Sequence, residues 1–305
     1  MVDFIYKKGV CMTGYFVMNN ASLKRYNTLR LDVKADTVVL VHTVDGMVQA
    51  LKDFKDRKVV IIGNGSNMMF SRDYYGDDTA FIVTTLLNDV EIIDGEIVIE
   101  AGTRLNRLAW FACEQSIGGY EFCEDIPGTA GGALIMNAGQ WQYTIGQYVN
   151  WIDVYNYDTE SVERIVPDEN FFEYRHSKLN DLPYIVLRAG LKAEPGDYNE
   201  ALEKMLFYRR ERYVKQPRNF ANAGSVFKRP SDKDGNQLFV WKLFDGVGLR
   251  GYRVGDAMVS EKHPGFIVNV GHATVNDMLS VIQECKDRVL NEYDVKIELE
   301  WRVID

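Results

Sequence analysis

The chain has few of the residues that mark several familiar protein classes. Its four cysteines and four histidines are scattered, with no C-x-x-C pair and no histidine near a cysteine at zinc spacing. A metal site or a disulfide framework is therefore not expected. No apolar run approaches the length of about 20 residues that spans a bilayer, and Asp3, Lys7 and Lys8 interrupt the start, where a signal peptide is apolar. These absences predict a reduced, cytoplasmic protein with no membrane segment.

Positive charge is also in short supply. Thirty-five Lys and Arg residues stand against 44 Asp and Glu residues, a formal net charge of −9. Such a field repels phosphate backbones, so no nucleic-acid partner is expected, although a local basic cleft can still hold one small anion. The hydrophobic fraction of 46% and the charged fraction of 26% are those of an ordinary globular protein. A length of 305 residues predicts two domains, at about 150 residues each.

The first third of the chain alternates between strand and helix patterns. Val38–Val41 and Val59–Ile62 are short apolar runs typical of buried strands, and apolar residues at helical spacing follow Asp45 between them. The second run ends in Gly63-Asn64-Gly65-Ser66-Asn67. We interpret this part as a βαβ-like unit whose second strand leads into a glycine turn.

The middle of the chain has a different pattern. Val90–Ile93 and Glu96–Glu100 flank Asp94-Gly95, which predicts a β-hairpin. Thr103 is expected to cap the N-terminus of the next helix. The composition changes near residues 194–197, where we expect a domain boundary.

The last third favours helices followed by one strand. A helix carrying Arg209, Arg210 and Arg212 follows the boundary, and the last strong helix begins at Thr274. Alternation from Val295 to Val303 predicts a final strand, with Glu300 and Arg302 on its solvent-facing side. The chain therefore reads as α/β followed by α+β.

Two glycine-rich turns suggest a ligand. The first is Gly63 to Asn67, and the second is Ile126-Pro127-Gly128-Thr129-Ala130-Gly131-Gly132. Glycine allows tight turns whose successive N–H groups can surround an anion. Either turn alone is equally well explained as a bend between elements, and neither is a G-x-G-x-x-G or P-loop motif. Together they favour a dinucleotide, whose diphosphate needs such donors.

Single polar residues say less by themselves. Ser225 follows Gly224 in a predicted tight turn, but position 227 is Phe, so the segment is not the G-x-S-x-G turn of hydrolases. By spacing alone, Ser225 is a turn serine, Arg175 an ion-paired arginine and Glu300 a solvated carboxylate. His263 also has an ordinary structural explanation.

The order of the motifs is more informative than any one of them. Besides the two glycine turns, the chain contains Met136-Asn137-Ala138-Gly139, Tyr174-Arg175-x-Ser177, Arg209-Arg210 with Gln216-Pro217, Gly224 to Lys228, Gly248 to Gly251, Val259 to His263, and Glu300-x-Arg302. In this order, over nearly the whole chain, it resembles the UDP-N-acetylenolpyruvoylglucosamine reductase family.

The resemblance implies a fold and a cofactor. The expected fold is α+β with an α/β N-terminal lobe: a two-lobe FAD-binding fold of the vanillyl-alcohol-oxidase/p-cresol-methylhydroxylase type, plus a C-terminal α+β substrate lobe. Residues 1–84 and 85–195 would form the two FAD-binding lobes, and residues 196–305 the substrate lobe. FAD would bind non-covalently at Gly63, Asn64, Gly65, Ser66, Asn67, Ile126, Pro127, Gly128, Thr129, Gly131, Gly132 and Asn137.

The resemblance also implies a reaction. NADPH would reduce the flavin, and N5 of the reduced flavin would pass hydride to UDP-N-acetylglucosamine enolpyruvate, giving UDP-N-acetylmuramate for peptidoglycan synthesis. Ser225 would donate the proton, with Arg175 and Glu300 beside the substrate carboxylate. The substrate-binding residues would be Arg209, Arg210, Gln216, Lys228, Arg229 and His263. Arg175, Arg209, Arg210 and Lys228 would build a positive cleft for both anionic substrates, and a monomer is favoured.

Two alternatives stay open beside this reading. One is a flavin oxidase or dehydrogenase of the same fold acting on another substrate, and the other is a catalytically silent flavin-binding protein. The chain departs from the family at Gln140-Trp141-Gln142-Tyr143, where Ala-Tyr-Gly is usual, at His176 instead of Asp, and at Ala221-Asn222-Ala223 instead of Pro-Ser-Ala. The short segment between Leu191 and Arg209 resembles the form without a long tyrosine-bearing loop.

Overall fold

The first sheet combines parallel and antiparallel strands. A computed structural model describes residues 14–305. Its first elements are β1 (Tyr15–Ser22), β2 (Lys34–Val41), α1 (Val44–Asp53), β3 (Lys58–Ile62), β4 (Met68–Phe70) and β5 (Tyr74–Val83). Strands β2, β5 and β3 are parallel in the order β1-β2-β5-β3, with β1 antiparallel at the edge. The predicted strands and helix are confirmed, and β5 lies between the two predicted strands.

A five-stranded antiparallel sheet follows, in the order β11-β10-β14-β7-β6. Its elements and neighbours are β6 (Val90–Ile93), β7 (Glu96–Glu100), α2 (Leu105–Glu114), α3 (Ala130–Met136), β8 (Gly139–Gln140), β9 (Tyr143–Thr144), β10 (Val149–Asn156), β11 (Ser161–Ile165), β12 (Phe172–Glu173), β13 (His176–Ser177) and β14 (Tyr184–Leu191). The predicted β6–β7 hairpin is confirmed. The predicted cap at Thr103 is wrong: Arg104 occupies the N-cap position of α2 without a capping hydrogen bond from its side chain, and Thr103 Oγ1 donates to Asp89 O at 2.8 Å.

The last third forms a small four-stranded sheet between helices, in the order β15-β18-β17-β16. The elements are α4 (Tyr198–Lys215), β15 (Ala221–Asn222), α5 (Val240–Gly246), β16 (Arg253–Val254), β17 (Ala257–Val259), β18 (Ile267–Asn269), α6 (Val275–Tyr293) and β19 (Arg302–Ile304). Thr274 caps α6 as predicted, accepting from Asp277 N while the Asp277 carboxylate accepts from Thr274 N.

The predicted strand from Val295 to Val303 is mostly wrong. Only Arg302–Ile304 forms a strand, parallel to β4, and Leu299 makes a single bridge to Phe227. Glu300 is not on a solvated face, since only 18% of its side chain is exposed. The alternation of residue types reflects alternate burial against two different neighbours rather than one long ladder. This path returns the C-terminal segment to β4, directly after the first glycine turn.

Two hydrophobic clusters share the first sheet between them. One joins α1 and α2 to the second sheet, through residues such as Met47, Leu108 and Ile152. The other joins Phe81 of the first sheet to the C-terminal part, including Met278 of α6. Full burial of each such side chain contributes roughly 1.5–3 kcal/mol. The first sheet therefore packs against the second sheet through one cluster and against the C-terminal part through the other.

Two further classes of feature are absent from residues 14–305. No helix there is both long enough and apolar enough to cross a membrane. That same part of the chain contains no group of three or more His, Cys, Asp or Glu side chains arranged to hold a metal ion.

Candidate active site

The two glycine turns predicted to hold a dinucleotide lie against each other. Asn64 Nδ2, after β3, donates to Pro127 O, before α3, at 2.7 Å. A Cβ added to Gly63 would lie 2.2 Å from Thr129 Oγ1, so the turns approach too closely for any side chain at that position. The structure thus joins two segments that are 63 residues apart in sequence.

The donor groups of the first turn fit a diphosphate. Gly65 has a φ of +63°, in the left-handed region that favours glycine. Among the hydrogen bonds of residues 14–305, none has a backbone N–H of Asn64, Gly65, Ser66 or Asn67 as its donor. A row of such N–H groups is an anion site that needs no charged side chain. The turn therefore offers backbone N–H donors to a diphosphate, and its role in holding FAD stays a prediction.

The other predicted flavin residues divide into two groups. Ile126, Pro127 and Gly128 line a cleft of about 290 Å³ together with Asn64. Thr129, Gly131, Gly132 and Asn137 belong instead to α3 and its ends. Thr129 is buried, and a Cβ on Gly131 would lie 3.2 Å from Ala101 Cβ, so Gly131 allows α3 to pack closely. Gly132 has Thr129 Oγ1 3.8 Å from its Cβ position.

Asn137, at the C-terminal end of α3, stabilises the backbone around it. Its backbone is left-handed, with a φ of +42°. Its Nδ2 donates to Glu173 O at 2.9 Å, and its Oδ1 accepts from Gly146 N at 3.1 Å. Both ends of the amide are therefore bonded to protein backbone. Asn137 holds the segment that leads into Arg175.

Replacing Gly65 with alanine should prevent stable flavin binding. The new Cβ would lie 2.1 Å from Tyr26 O, on a backbone that disfavours any Cβ. The flavin-to-protein absorbance ratio of the purified variant measures the loss. Gly95→Ala is the matched control, because its φ is also positive, at +80°, but nothing lies within 4 Å of the added Cβ. Full flavin content in Gly65→Ala would contradict the assignment of this turn.

Ser225 sits on a tight turn that is fixed on both sides. Gly224 before it has a φ of +79°, and its Cβ position is 4.0 Å from Ser66 O of the first glycine turn. Trp301 Nε1 donates to Ala223 O at 2.8 Å, and Val226 N donates to Gly265 O at 3.1 Å. The Ser225 side chain itself is exposed. The Ser225 turn thus presents a hydroxyl beside the first glycine turn.

Arg175 and Glu300 form an ion pair near the same turn. Arg175 Nε lies 3.1 Å from Glu300 Oε1, with 29% and 18% of the two side chains exposed. Glu300 N donates to Val226 O at 2.8 Å, and Asn67 Nδ2 donates to Glu300 O at 3.2 Å. The Glu300 backbone is therefore hydrogen-bonded both to Val226, the residue after Ser225, and to Asn67 of the first glycine turn. The fold thus brings Arg175 and Glu300, 125 residues apart in sequence, close to the Ser225 turn.

The surroundings of the Glu300 carboxyl shift its pKa. Burial raises its pKa above the ordinary value, and the charge and hydrogen bond of Arg175 offset part of that rise. A proton held there would allow the carboxyl to donate a hydrogen bond to a second carboxylate instead of repelling it.

A Glu300→Gln variant should show the effect as a pH-dependent change in stability. The folded state raises the pKa of Glu300 above 4.5, so its contribution to the free energy of unfolding is complete below 4.5 and is lost as the pH rises through the raised value. Glutamine does not ionise, so the variant should gain stability relative to the unaltered protein across that window. Urea unfolding from about pH 4 to about pH 8 measures this difference. A difference that stays constant with pH would contradict the raised pKa.

None of the four predicted substrate-binding cations, Arg209, Arg210, Lys228 and Arg229, is among the described residues that line the cleft. Arg209 is paired with Glu124, and Lys228 Nζ lies 3.5 Å from Glu298 Oε2. The Arg229 guanidinium lies 5.0 Å from the centre of the Phe239 ring. Arg210 is exposed on α4. Lys228 and Arg229 contribute positive charge at Glu300, since both lower its pKa.

Two predicted substrate residues border the cleft more closely. Gln216 ends α4 and lines the cleft beside Pro217. The His263 ring packs edge-on against Phe266, another lining residue, with 5.0 Å between ring centres. Burial lowers the pKa of His263. His263 Nδ1 accepts from Gly265 N at 3.2 Å, which fixes the turn that also bonds Val226.

Three arginines that line the cleft, Arg104, Arg212 and Arg218, were not among the predicted site residues. The Arg212 side chain is 21% exposed, and its Nε lies 3.2 Å from Asp125 Oδ2. Helical spacing places Arg209, Arg212 and Gln216 on one face of α4, and Arg210 on another. That spacing was the signal that could have replaced Arg210 with Arg212.

Known proteins are similar to this chain over most of its length. Residues 216–304 match the family model for the C-terminal domain of UDP-N-acetylenolpyruvoylglucosamine reductase, and residues 35–163 match that for an FAD binding domain. A UDP-N-acetylenolpyruvoylglucosamine reductase of Alkaliphilus oremlandii is 37% identical over 290 residues, covering 94% of this chain and 93% of that protein. The chain belongs to this reductase family. The Thermotoga maritima relative is 35% identical over 281 residues, 92% of this chain and 96% of that protein.

A solved reductase structure agrees with the fold. The crystal structure of the family member from Thermus caldophilus has a TM-score of 0.78 and 30% sequence identity, and the match covers 95% of this chain and 100% of that one. The predicted fold class is confirmed: an FAD-binding fold of the vanillyl-alcohol-oxidase/p-cresol-methylhydroxylase type followed by the C-terminal domain of the reductases. FAD is the cofactor of this reductase family member.

Proposed function

We propose that Ser225, Arg175 and Glu300 carry the chemistry of this FAD-dependent UDP-N-acetylmuramate dehydrogenase. As a member of the reductase family, the protein uses NADPH and an enolpyruvyl sugar nucleotide in peptidoglycan precursor synthesis. The observation that supports the three roles is their junction: Glu300 bonds to Val226, which follows Ser225, and to Asn67 of the first glycine turn, while its carboxylate meets Arg175.

The residue roles follow from the charges that the reaction creates. Bound FAD supplies the hydride-transfer chemistry. Arg175 binds the substrate carboxylate, and its attraction grows as negative charge develops on the carbon beside that carboxylate. Glu300 holds a proton and donates a hydrogen bond to the same carboxylate. Ser225 Oγ donates the proton that this carbon needs. A serine hydroxyl is a weak acid, so it works only against a strongly basic carbon within hydrogen-bond reach.

The cations around the cleft complete the substrate site in this proposal. Arg209, Arg210, Lys228 and Arg229 offset the net charge of −9 locally, so that two anionic substrates can enter. Gln216 and His263 would shape the wall between α4 and the Ser225 turn. Arg212 joins this group on its position in the cleft.

The domain division is also a proposal. The three main sheets support lobes at residues 1–84, 85–195 and 196–305, two for FAD and one for the substrate. Only residues 192–197 separate β14 from α4, which supports the form without the long tyrosine-bearing loop. A monomer is part of the same proposal. NADPH and a nucleotide-activated sugar are both cytoplasmic metabolites, so we place the enzyme in the cytoplasm.

The test is NADPH oxidation by the purified protein under anaerobic conditions, with and without the enolpyruvyl sugar nucleotide. We expect a yellow protein whose flavin NADPH reduces, with sustained turnover only when the sugar nucleotide is present. Flavin reduction without substrate-dependent turnover would reject the proposed roles and support a silent flavoprotein. In a parallel assay in air without the sugar nucleotide, turnover with oxygen alone would support an oxidase of the same fold.

A further inference from the structure

The segment that departs most from the family pattern forms a tight hairpin next to the candidate site. Gly139 pairs with Thr144 and Gln140 with Tyr143, which leaves Trp141 and Gln142 as a two-residue turn. Trp141 has a φ of +58°, and its ring packs against α4, with 6.3 Å between its centre and that of the Tyr208 ring. The hairpin therefore has a defined position against the helix that carries Arg212.

The Gln140 side chain connects two parts of the protein. Its Nε2 donates to Phe122 O at 2.7 Å, and its Oε1 accepts from Arg212 Nη1 at 3.3 Å. Phe122 is buried, with 1% of its surface exposed, so one end of the Gln140 amide is attached to a fixed backbone atom. The other end holds a guanidinium that lines the cleft. The alanine usual at this position in the family has no such group.

Arg212 also forms an ion pair with Asp125, whose Oδ2 lies 3.2 Å from its Nε. Within the part of the chain that the structure describes, this buried Nε has no hydrogen-bond partner. Asp125 is shared, because Arg218 pairs with the same carboxylate. Burial lowers the pKa of Arg212 to about 10, and the nearby charge of Arg175 adds to this effect. Arg212 lines the cleft and the nearby charge of Arg175 repels it, so an anion bound between the two guanidiniums is stabilised.

The hairpin also reaches the other arginine. Arg175 Nη1 donates to Gly139 O at 3.4 Å, one residue before Gln140. One short strand thus contacts both guanidiniums, that of Arg175 through its backbone and that of Arg212 through a side chain.

We propose that Gln140 is a positioning residue, which holds the Arg212 guanidinium toward the cleft so that Arg212 binds an anionic group of the sugar-nucleotide substrate. This inference rests on the proposed function. It accounts for the departure at Gln140 as a contact that orients a second arginine, while Arg175 takes the carboxylate beside the reacting carbon.

The experiment compares Gln140→Met, which keeps the length of the side chain but neither polar atom, with Gln142→Ala in the same hairpin. Gln142 is exposed, and in the contacts of residues 14–305 its side chain has no partner; only its backbone carbonyl accepts, from Gln147. A lost hydrogen bond to a charged group should raise KM for the sugar nucleotide about tenfold in Gln140→Met. We expect kcat, flavin content and the rate of flavin reduction by NADPH to stay unchanged, and Gln142→Ala to match the unaltered enzyme.

A second comparison separates positioning from a merely structural role. In an Arg212→Lys background, Gln140→Met should raise KM no further, because the contact is already lost. Gln140→Ala, which adds no bulk, carries the same test if Gln140→Met folds poorly. An unchanged KM in an active Gln140 variant, or flavin loss with an unchanged KM in the loaded fraction, would overturn this inference alone. Absence of substrate-dependent turnover in the unaltered protein would instead overturn the proposed function.

Discussion

Ser225→Ala should leave the flavin bound and reducible by NADPH while product formation nearly stops. The substitution removes one oxygen and changes none of the contacts that fix the turn, because those are made by Ala223 and Val226 with Trp301 and Gly265. Loss of a general acid typically costs about 10²- to 10⁴-fold in rate. The defect should lie in the second half-reaction alone, since reduction by NADPH needs no proton from Ser225.

Anaerobic stopped-flow absorbance separates the two half-reactions. The reductive half is followed on mixing with NADPH, and the oxidative half on mixing reduced enzyme with the enolpyruvyl sugar nucleotide. Ser231→Ala is a suitable control, because Ser231 is an exposed serine of the same region whose Oγ only accepts from Gln237. Near-normal reoxidation by substrate in Ser225→Ala would remove Ser225 as the proton donor.

Local signals predicted most of the fold correctly where one element determined them. The Asp94-Gly95 turn and the start of the last helix at Thr274 depend on neighbouring residues, and both are confirmed. The strand predicted from Val295 to Val303 failed because its alternation comes from contacts with distant elements, Phe227 on one stretch and β4 on the next. Period-two burial does not require a continuous ladder, and no local signal distinguishes the two cases.

The site divides along the same line. The glycine turns could be recognised from backbone chemistry alone, but Ser225, Arg175 and Glu300 had no local signal that separated them from ordinary surface residues. Their convergence depends on long-range contacts such as Glu300 N to Val226 O. The two hydrogen bonds of the Gln140 side chain could not be predicted either, because its partners, Phe122 and Arg212, come together only in the folded chain.

Arg175→Lys should lower turnover sharply while the charge is retained. Lysine offers a point charge on a flexible stem, whereas the arginine fork matches a carboxylate with two parallel N–H donors. Removing one donor to a developing negative charge typically costs about 10²- to 10³-fold in kcat. The Glu300 carboxyl should remain beside the cation, so flavin binding and reduction by NADPH should be unaffected.

Arg164→Lys provides a control of matched chemistry. Arg164 donates from Nε and Nη2 to the two oxygens of Asp153, at 2.7 and 2.9 Å, on the second sheet. That variant loses the same kind of fork elsewhere, so its steady-state turnover should stay normal. If Arg175→Lys also turned over normally, another cation would have to hold the substrate carboxylate. Arg209 forms an ion pair with Glu124, and the Arg229 guanidinium contacts the Phe239 ring. Arg212 would therefore be the residue to replace next, because it is close enough to Arg175 for that charge to lower its pKa.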